Sequence, residues 1–147
     1  MGLVKTDTIN KVKIEALKAA RRTTYFAVGS VYSKVLGENV YFNNHGFQHI
    51  MYDGNGRRRK NVEIVTRLNL LPCAPIVVIN AKTSVDRVIL AVDNKLGKDI
   101  VFYQLQHTIR SRLNPLRTTE VIVIVRKVGN GQLHFFSIRY GRKAKRK

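Results

Sequence analysis

Acidic residues are scarce in this chain: nine Asp and Glu stand against 27 Lys and Arg, a formal net charge of +18 over 147 residues. There is no Trp, one Cys and three Pro. Each shortage excludes something. A lone cysteine rules out an intramolecular disulfide framework and disfavours a secreted mini-protein. Cys73 sits among apolar residues in "LLPCAP", the setting of a buried inert thiol rather than a nucleophile. So few carboxylates offer no acid pair for glycosidase chemistry, and they starve a two-metal nuclease site of ligands. Nothing of the form GxxxxGK[ST] occurs, so P-loop nucleotide hydrolysis is disfavoured. No signal-peptide core is visible and no apolar run approaches transmembrane length, so a cytoplasmic location without a transmembrane segment is expected. The opening "MGLVKT" meets the loose myristoylation pattern through Gly2 and Thr6, but that pattern is often met by chance.

What is present is enough for a folded core. Hydrophobic residues make up 44% of the chain, which bounds it as globular and most simply as one domain over 1–147. The positive charge is clumped. Arg57, Arg58, Arg59 and Lys60, with Arg142, Lys143, Lys145, Arg146 and Lys147, supply nine of the eighteen excess charges. Two dense clusters suit a nucleic-acid footprint better than a generally basic surface, and RNA or DNA is the expected partner. The first helix is basic and amphipathic, yet Ile9, Val12, Ala16 and Ala19 are too small for strong membrane insertion.

Hydrophobic spacing divides the chain. Over 1–38 the pattern is helical: Thr6 or Asp7 can cap "TDTINKVKIEALKAARR", and the spacing runs on to Gly37 as a stop. "NVYF" reads as a short strand. Asn43 or Asn44 then caps a brief helix carrying His45 and His49. "KNVEIVTRLNLL" places Val62, Val65, Leu68 and Leu71 on one helical face, ended by Pro72 and Pro75. From Ile76 the signal changes to strands in "IVVIN", "DRVILAV", "DIVFYQLQH", "TEVIVIVRKV" and "QLHFFSIRY". Their turns fall at Asp93–Asn94 with Gly97, at Asn114–Pro115 and at Gly129–Gly131. The expected fold class is α+β, with N-terminal helices packed on one face of a four- to five-stranded antiparallel β-sheet. The basic tail, 141–147, is expected to be disordered and to touch phosphates non-specifically.

The last hairpin carries more detail. With Asn130–Gly131 as the turn, Ile124 faces Ser137, Arg126 faces Phe135 and Ile122 faces Arg139. Directly opposed side chains share a face, so Arg126, Ser137 and Arg139 form an open polar side. Val123, Val125, Phe136 and Ile138 form the apolar side, expected to be the core.

Candidate chemistry centres on "HGFQHIMYDGNGRRRKN". His45 and His49 share a helical face at i, i+4, but Gly46 stands where a zinc protease would need its general-base Glu, and no third ligand follows. No metal and no cofactor are therefore assigned. Acid–base work by His49 fits better, because imidazole titrates near neutrality and cations follow closely. The bland alternative is a capping or packing histidine. For Arg67, four residues after Glu63, the bland alternative is a helical ion pair. The loop cations Arg57, Arg58 and Lys60, with Arg126, Arg139, Arg142 and Lys143, are candidate RNA contacts.

"VYFNNHGFQHI", a basic loop, "RLNLLP" and strands ending in "HFFSIRY" together resemble the phage-associated branch of the barnase–EndoU–colicin–RelE (BECR) ribonuclease superfamily. The resemblance covers about Val40 to Tyr140, giving a core at 39–140. It implies helices before an antiparallel sheet and metal-independent RNA cleavage. Carried over residue by residue, it places the catalytic histidine at His49, the loop cation at Arg59, a further arginine at Arg67 and the hydroxyl of the last strand at Ser137. His45 is the nearest candidate for a second acid–base group. The implied reaction is 2′-OH transesterification leaving a 2′,3′-cyclic phosphate, in a toxin or phage effector. An acidic immunity or antitoxin protein is a possible partner class. The alternative is a non-catalytic basic RNA- or DNA-binding protein, for which charge alone suffices. Oligomeric state is left open.

Overall fold

In the computed structural model the described residues are 2–82, 84–93, 98–110 and 116–141; for 2–10, 84–93 and 98 only backbone is described. The expected turn residues Asn94, Gly97, Asn114 and Pro115, and the tail cations Arg142 and Lys143, lie outside them.

Helix α1 (Gly2–Val28) ends where Gly29 takes φ +68°, a left-handed conformation that glycine adopts without steric cost. The helix therefore stops short of Gly37. Its expected continuation is a hairpin, β1 (Ser30–Ser33) and β2 (Glu38–Tyr41), with Gly37 in the turn. Next come α2 (Asn44–Met51) and α3 (Asn61–Leu70), both as expected. A 3-10 turn (Leu71–Cys73) and α4 (Ala74–Asn80) follow. "IVVIN" is thus helical rather than a strand. A short apolar run does not distinguish the two by periodicity, and Pro75 in the first turn of α4 favours the helix.

The sheet has six strands in the order β1-β2-β6-β5-β4-β3, completed by β3 (Ser84–Asp93), β4 (Lys98–Arg110), β5 (Thr118–Val128) and β6 (Leu133–Tyr140). From β3 to β6 it is the antiparallel meander that the turn signals suggested. The sheet as a whole is mixed, because β2 runs parallel to β6 through Val40–Leu133 and Tyr41–His134. The architecture is α+β, with one more hairpin than expected.

Helices α2, α3 and α4 supply Phe47, Ile50, Ile64, Leu68, Val77 and Val78 to the core, against Val121, Val123, Val125, Phe135 and Ile138 of the sheet. On α3 the inward residues are Ile64 and Leu68, whereas Val62 is 78% exposed, so the expected face is rotated. Contrary to expectation, Asn61–Asn80 is long and apolar enough, by length and composition, to cross a membrane. Here it is divided between α3, the 3-10 turn and α4, and much of it lines the core.

Tyr25 of α1 packs against Phe42, Phe47 and Phe135 and donates its hydroxyl to the Asn43 carbonyl at 2.7 Å. Burial pushes that phenol's pKa up, keeping it a donor. Asn43 in turn caps α2, its side chain accepting from the Gly46 amide at 3.1 Å. Strand β6 meets β2 only at Leu133 and His134, and α2 and α3 lie along the rest of it. Gly46 permits the close approach: a Cβ there would collide with the Phe135 carbonyl and the Tyr25 hydroxyl. That glycine, empty of chemistry in the zinc-helix comparison, sets where both histidines of α2 stand.

Candidate nucleic-acid site around Phe136

A bulge in β6 builds the site. Ile124 pairs with Ser137 and Ile122 with Arg139 as expected, but Val125 then pairs with Phe135 and Arg126 with His134. Phe136 is the extra residue, and such an insertion changes which face the following side chains meet. The turn is also centred on Gly129–Asn130 rather than Asn130–Gly131, with Gly129 at φ +55° and a Gly131 N–H to Val128 carbonyl bond of 2.9 Å. Two expectations are therefore exchanged. Phe135, placed beside Arg126 by the simple register, is wholly buried in the core; Phe136, placed in the core, is half-buried among the histidines.

Around the Phe136 ring the side chains converge. His49 stacks on it at 4.0 Å between centroids, tilted 29°. Phe102 of β4 meets it edge-on at 5.0 Å, and the Arg126 guanidinium lies 5.6 Å from its centroid. His45 approaches both Phe136 and His134, at 6.0 and 5.7 Å. The loop after α2 turns tightly about Asp53, whose carboxylate accepts from the Asn55 and Arg57 amides. This delivers Arg59 to His49: its Nε donates to the His49 carbonyl at 3.0 Å, and its Nη2 lies 3.0 Å from His49 Nε2. From α3, Arg67 Nη1 donates to Ser137 Oγ at 2.6 Å and to the Ile138 carbonyl at 3.1 Å. Arg126 Nη1 lies 2.6 Å from His45 Nε2.

The helical ion pair considered for Arg67 is formed by another residue: Glu63 meets Arg59 at 3.5 Å, leaving Arg67 to the last strand. Ser137 is buried beneath Arg67 rather than lying on an open face. His49, Arg59, Arg67, Ser137, Arg126 and His45 are thus gathered in one place, and Arg139 lies near enough to Arg67 to depress its pKa. Arg57, Arg58 and Lys60 are exposed; Arg58 donates to the Asn61 side chain at 2.8 Å and reaches the Arg59 carbonyl at 3.4 Å. Sequence reasoning missed His134, Phe136 and Phe102. Alternation along "HFFSIRY" was the available signal, and the bulge reverses its parity.

Arginine can only donate, so Nε2 of His45 and of His49 must each accept, leaving both imidazoles neutral with the proton on Nδ1. Titration agrees. Burial, then Arg59, Arg67 and His45, bring His49 down to about 4 against a weaker pull from Asp53. Burial, then Arg126 and His45, bring His134 to about 4, and His45 is lowered by burial and Arg126. Burial and neighbouring arginines lower Arg67 to about 10, which leaves it a cation at neutral pH. Neutral imidazoles beside charged guanidiniums amount to a set of proton acceptors next to an anion receptor.

Among the described residues no group of three His, Cys, Asp or Glu side chains is placed to share a metal ion. A separate cleft of about 210 Å³ between α1 and the prolines is lined by Tyr25, Val28, Phe42, Leu71, Pro72 and Pro75, with Arg21 and Thr24. It shares no residue with the cluster. Comparison with protein-family models, with curated proteins and with solved structures finds no match.

Proposed function

We propose that this protein is a metal-independent endoribonuclease, cleaving RNA by 2′-OH transesterification at the Phe136 cluster, and a phage-associated member of the BECR superfamily. One observation carries the reading: two arginines bond two imidazoles while a third, Arg67, bonds a strand hydroxyl, all about one aromatic ring. A phosphodiester entering this niche draws Arg59 and Arg126 away from His49 and His45. His49, neutral at pH 7, then takes the 2′-OH proton. The 2′-oxygen attacks phosphorus, and Arg67 and Arg59 hold the charge on the developing phosphorane. His45, freed from Arg126 and facing a bound anion, gains a proton and delivers it to the leaving 5′-oxygen. A 2′,3′-cyclic phosphate and a 5′-hydroxyl result. Ser137 positions Arg67.

A second reading is favoured by the lowered imidazole pKa values. With His45, His49 and His134 all held neutral in the free protein, no ready general acid stands in the site. A non-catalytic RNA- or DNA-binding protein needs only the arginines. Incubation of total RNA with the protein in EDTA separates the two. Cyclic-phosphate ends that fall by about 10²–10⁴ in His49→Ala are expected of the nuclease. Intact RNA, retained tightly and released by salt, would leave the binder.

A further inference from the structure

Helix α1 carries a second meeting of cations and aromatic rings, away from the Phe136 cluster. At 3.6 residues per turn, Lys11, Lys18, Arg22 and Phe26 fall on one side of the helix. Arg22 lies over two rings, 5.3 Å from the centroid of Phe26 and 5.9 Å from that of Phe47. Phe26 is 38% exposed, although Tyr25 beside it is buried. Glu15 is the acid in this row, and it forms no ion pair among the described residues. An arginine resting on an exposed ring is by itself an ordinary surface contact. Its place beside α2 gives it a role.

Phe47 belongs to α2, the helix that carries His45 and His49. Around α2 the order is Phe47, Asn44, Gln48, His45 and His49; the last four meet solvent, while Gly46, Ile50 and Met51 face inward. One open surface therefore runs from the Phe136 cluster over Gln48 and Asn44 to Arg22 and Phe26. It crosses one helix diameter, about 10–12 Å. Helix α2 contributes no carboxylate to it.

We infer that Arg22 and Phe26 form a stacking platform for a single-stranded RNA segment that leaves the Phe136 cluster over α2. This rests on reading the cluster as an RNA phosphate site. An unpaired base offers a flat face that stacks on an aromatic ring or a guanidinium plane, whereas in a duplex neighbouring base pairs cover that face. Arg22 on its two rings presents such a plane, and the open part of Phe26 presents another. Lys18 and Lys11 continue the line about 6 and 17 Å beyond Arg22 along α1, placed for phosphates. Every base has a face to stack, so the platform selects strand length and strandedness rather than sequence. At about 3.4 Å per stacked nucleotide, three or four nucleotides cover the crossing. None of these α1 residues lies in the 39–140 span that resembles the BECR enzymes.

Binding of 2′-O-methyl RNA tests this, because a blocked 2′-oxygen cannot be transesterified. Unstructured strands of two and of six nucleotides are titrated by fluorescence anisotropy, with the six-nucleotide sequence also offered as a duplex. The longer single strand is expected to bind about tenfold tighter than the dinucleotide. Phe26→Leu should remove that gain and leave the dinucleotide unaffected; leucine keeps the charge, so the loss would not be electrostatic. Phe26→Tyr keeps a ring and should restore the gain. The duplex should be indifferent to Phe26. A longer strand unaffected by Phe26→Leu, a dinucleotide weakened as much as the longer strand, or a duplex that loses as much overturns the platform. Cleavage is read separately on total RNA. A gain through Phe26 without cyclic-phosphate ends would remove the nuclease and keep the platform; such ends with no contribution from Phe26 would do the opposite.

Discussion

Phe135 and Phe136 are neighbours in sequence with opposite duties. Phe135 is fully buried, stacked on Phe42 at 5.6 Å and met edge-on by Tyr25 at 5.7 Å. Phe136 is half-buried, with an imidazole on its face and a guanidinium nearby. The first ring is held by apolar contacts that stabilise the fold. The second organises cations whose mutual repulsion opposes folding, with Glu63 on Arg59 the acid paired in the cluster. One side of the bulge is built for stability. The other is built to receive an anion.

Substituting each ring in turn is the strongest way to break that comparison. Phe135→Ala should cost about 3–5 kcal/mol in urea unfolding, the range for removing a buried aromatic ring. Phe136→Ala should cost only about 1 kcal/mol, because the ring lies outside the core and is only partly buried, yet it should abolish RNA binding or cleavage by unstacking His49. Equal stability losses would mean that the two faces are not distinct. A Phe136→Ala protein that retains full RNA affinity would mean that the ring organises nothing.

Gly46 joins the two regions and should give the next largest effect. Inside a helix, Gly→Ala ordinarily stabilises by up to about 1 kcal/mol. Here the added methyl would press on the Phe135 carbonyl, its ring and the Tyr25 hydroxyl. Gly46→Ala should therefore destabilise by about 1–3 kcal/mol, and it should lower RNA affinity because α2 carries His45 and His49 away from β6. Unfolding curves and RNA titrations on one protein preparation check both. A stabilised variant would show that the close approach is not required.

Legibility in the sequence followed the range of the signal. The Asn43 cap, the run of α3 and the meander from β3 to β6 depend on neighbouring residues and could be read. His49, Arg59, Arg67 and Ser137 are grouped by the resemblance rather than by spacing, and the structure shows Arg59 on His49 and Arg67 on Ser137. What depends on one residue's backbone state could not be read. Gly29 ends α1 through a positive φ, and Val31 and Tyr32 beyond it continue an apparently helical spacing as a strand. "IVVIN" is equally apolar as helix or strand, and its burial among core residues decides. The exchange of Phe135 and Phe136 is invisible because the bulge separates two identical residues. His134 went unnoticed for the same reason.

The smallest expected effect is pH dependence, and it separates the two faces by charge alone. The imidazoles of His45, His49 and His134 titrate below the ordinary value of 6.5 in the folded protein, His49 and His134 near 4. Between about 4 and 6.5 the unfolded chain therefore binds more protons, so stability is full above 6.5 and is lost as pH falls through this window. These groups are partly solvated, and screening reduces the contributions of His49 and His134 to about 1 kcal/mol each. Burial sets the sign first and the groups facing the rings add to it: Arg59 and Arg67 about His49, Arg126 about His45 and His134, with Asp53 opposing at His49 and the Gln132 backbone at His134. An anion seated between arginines and imidazoles should reverse the effect, because it raises the histidine pKa values. Phosphate or a short oligonucleotide should bind more tightly at pH 5.5 than at pH 7.5, with proton uptake on binding. Calorimetry in buffers of different ionisation enthalpy measures that uptake directly. Binding without it would mean that Arg59 and Arg126 stay on their histidines, and that the anion reaches the cluster without engaging the imidazoles.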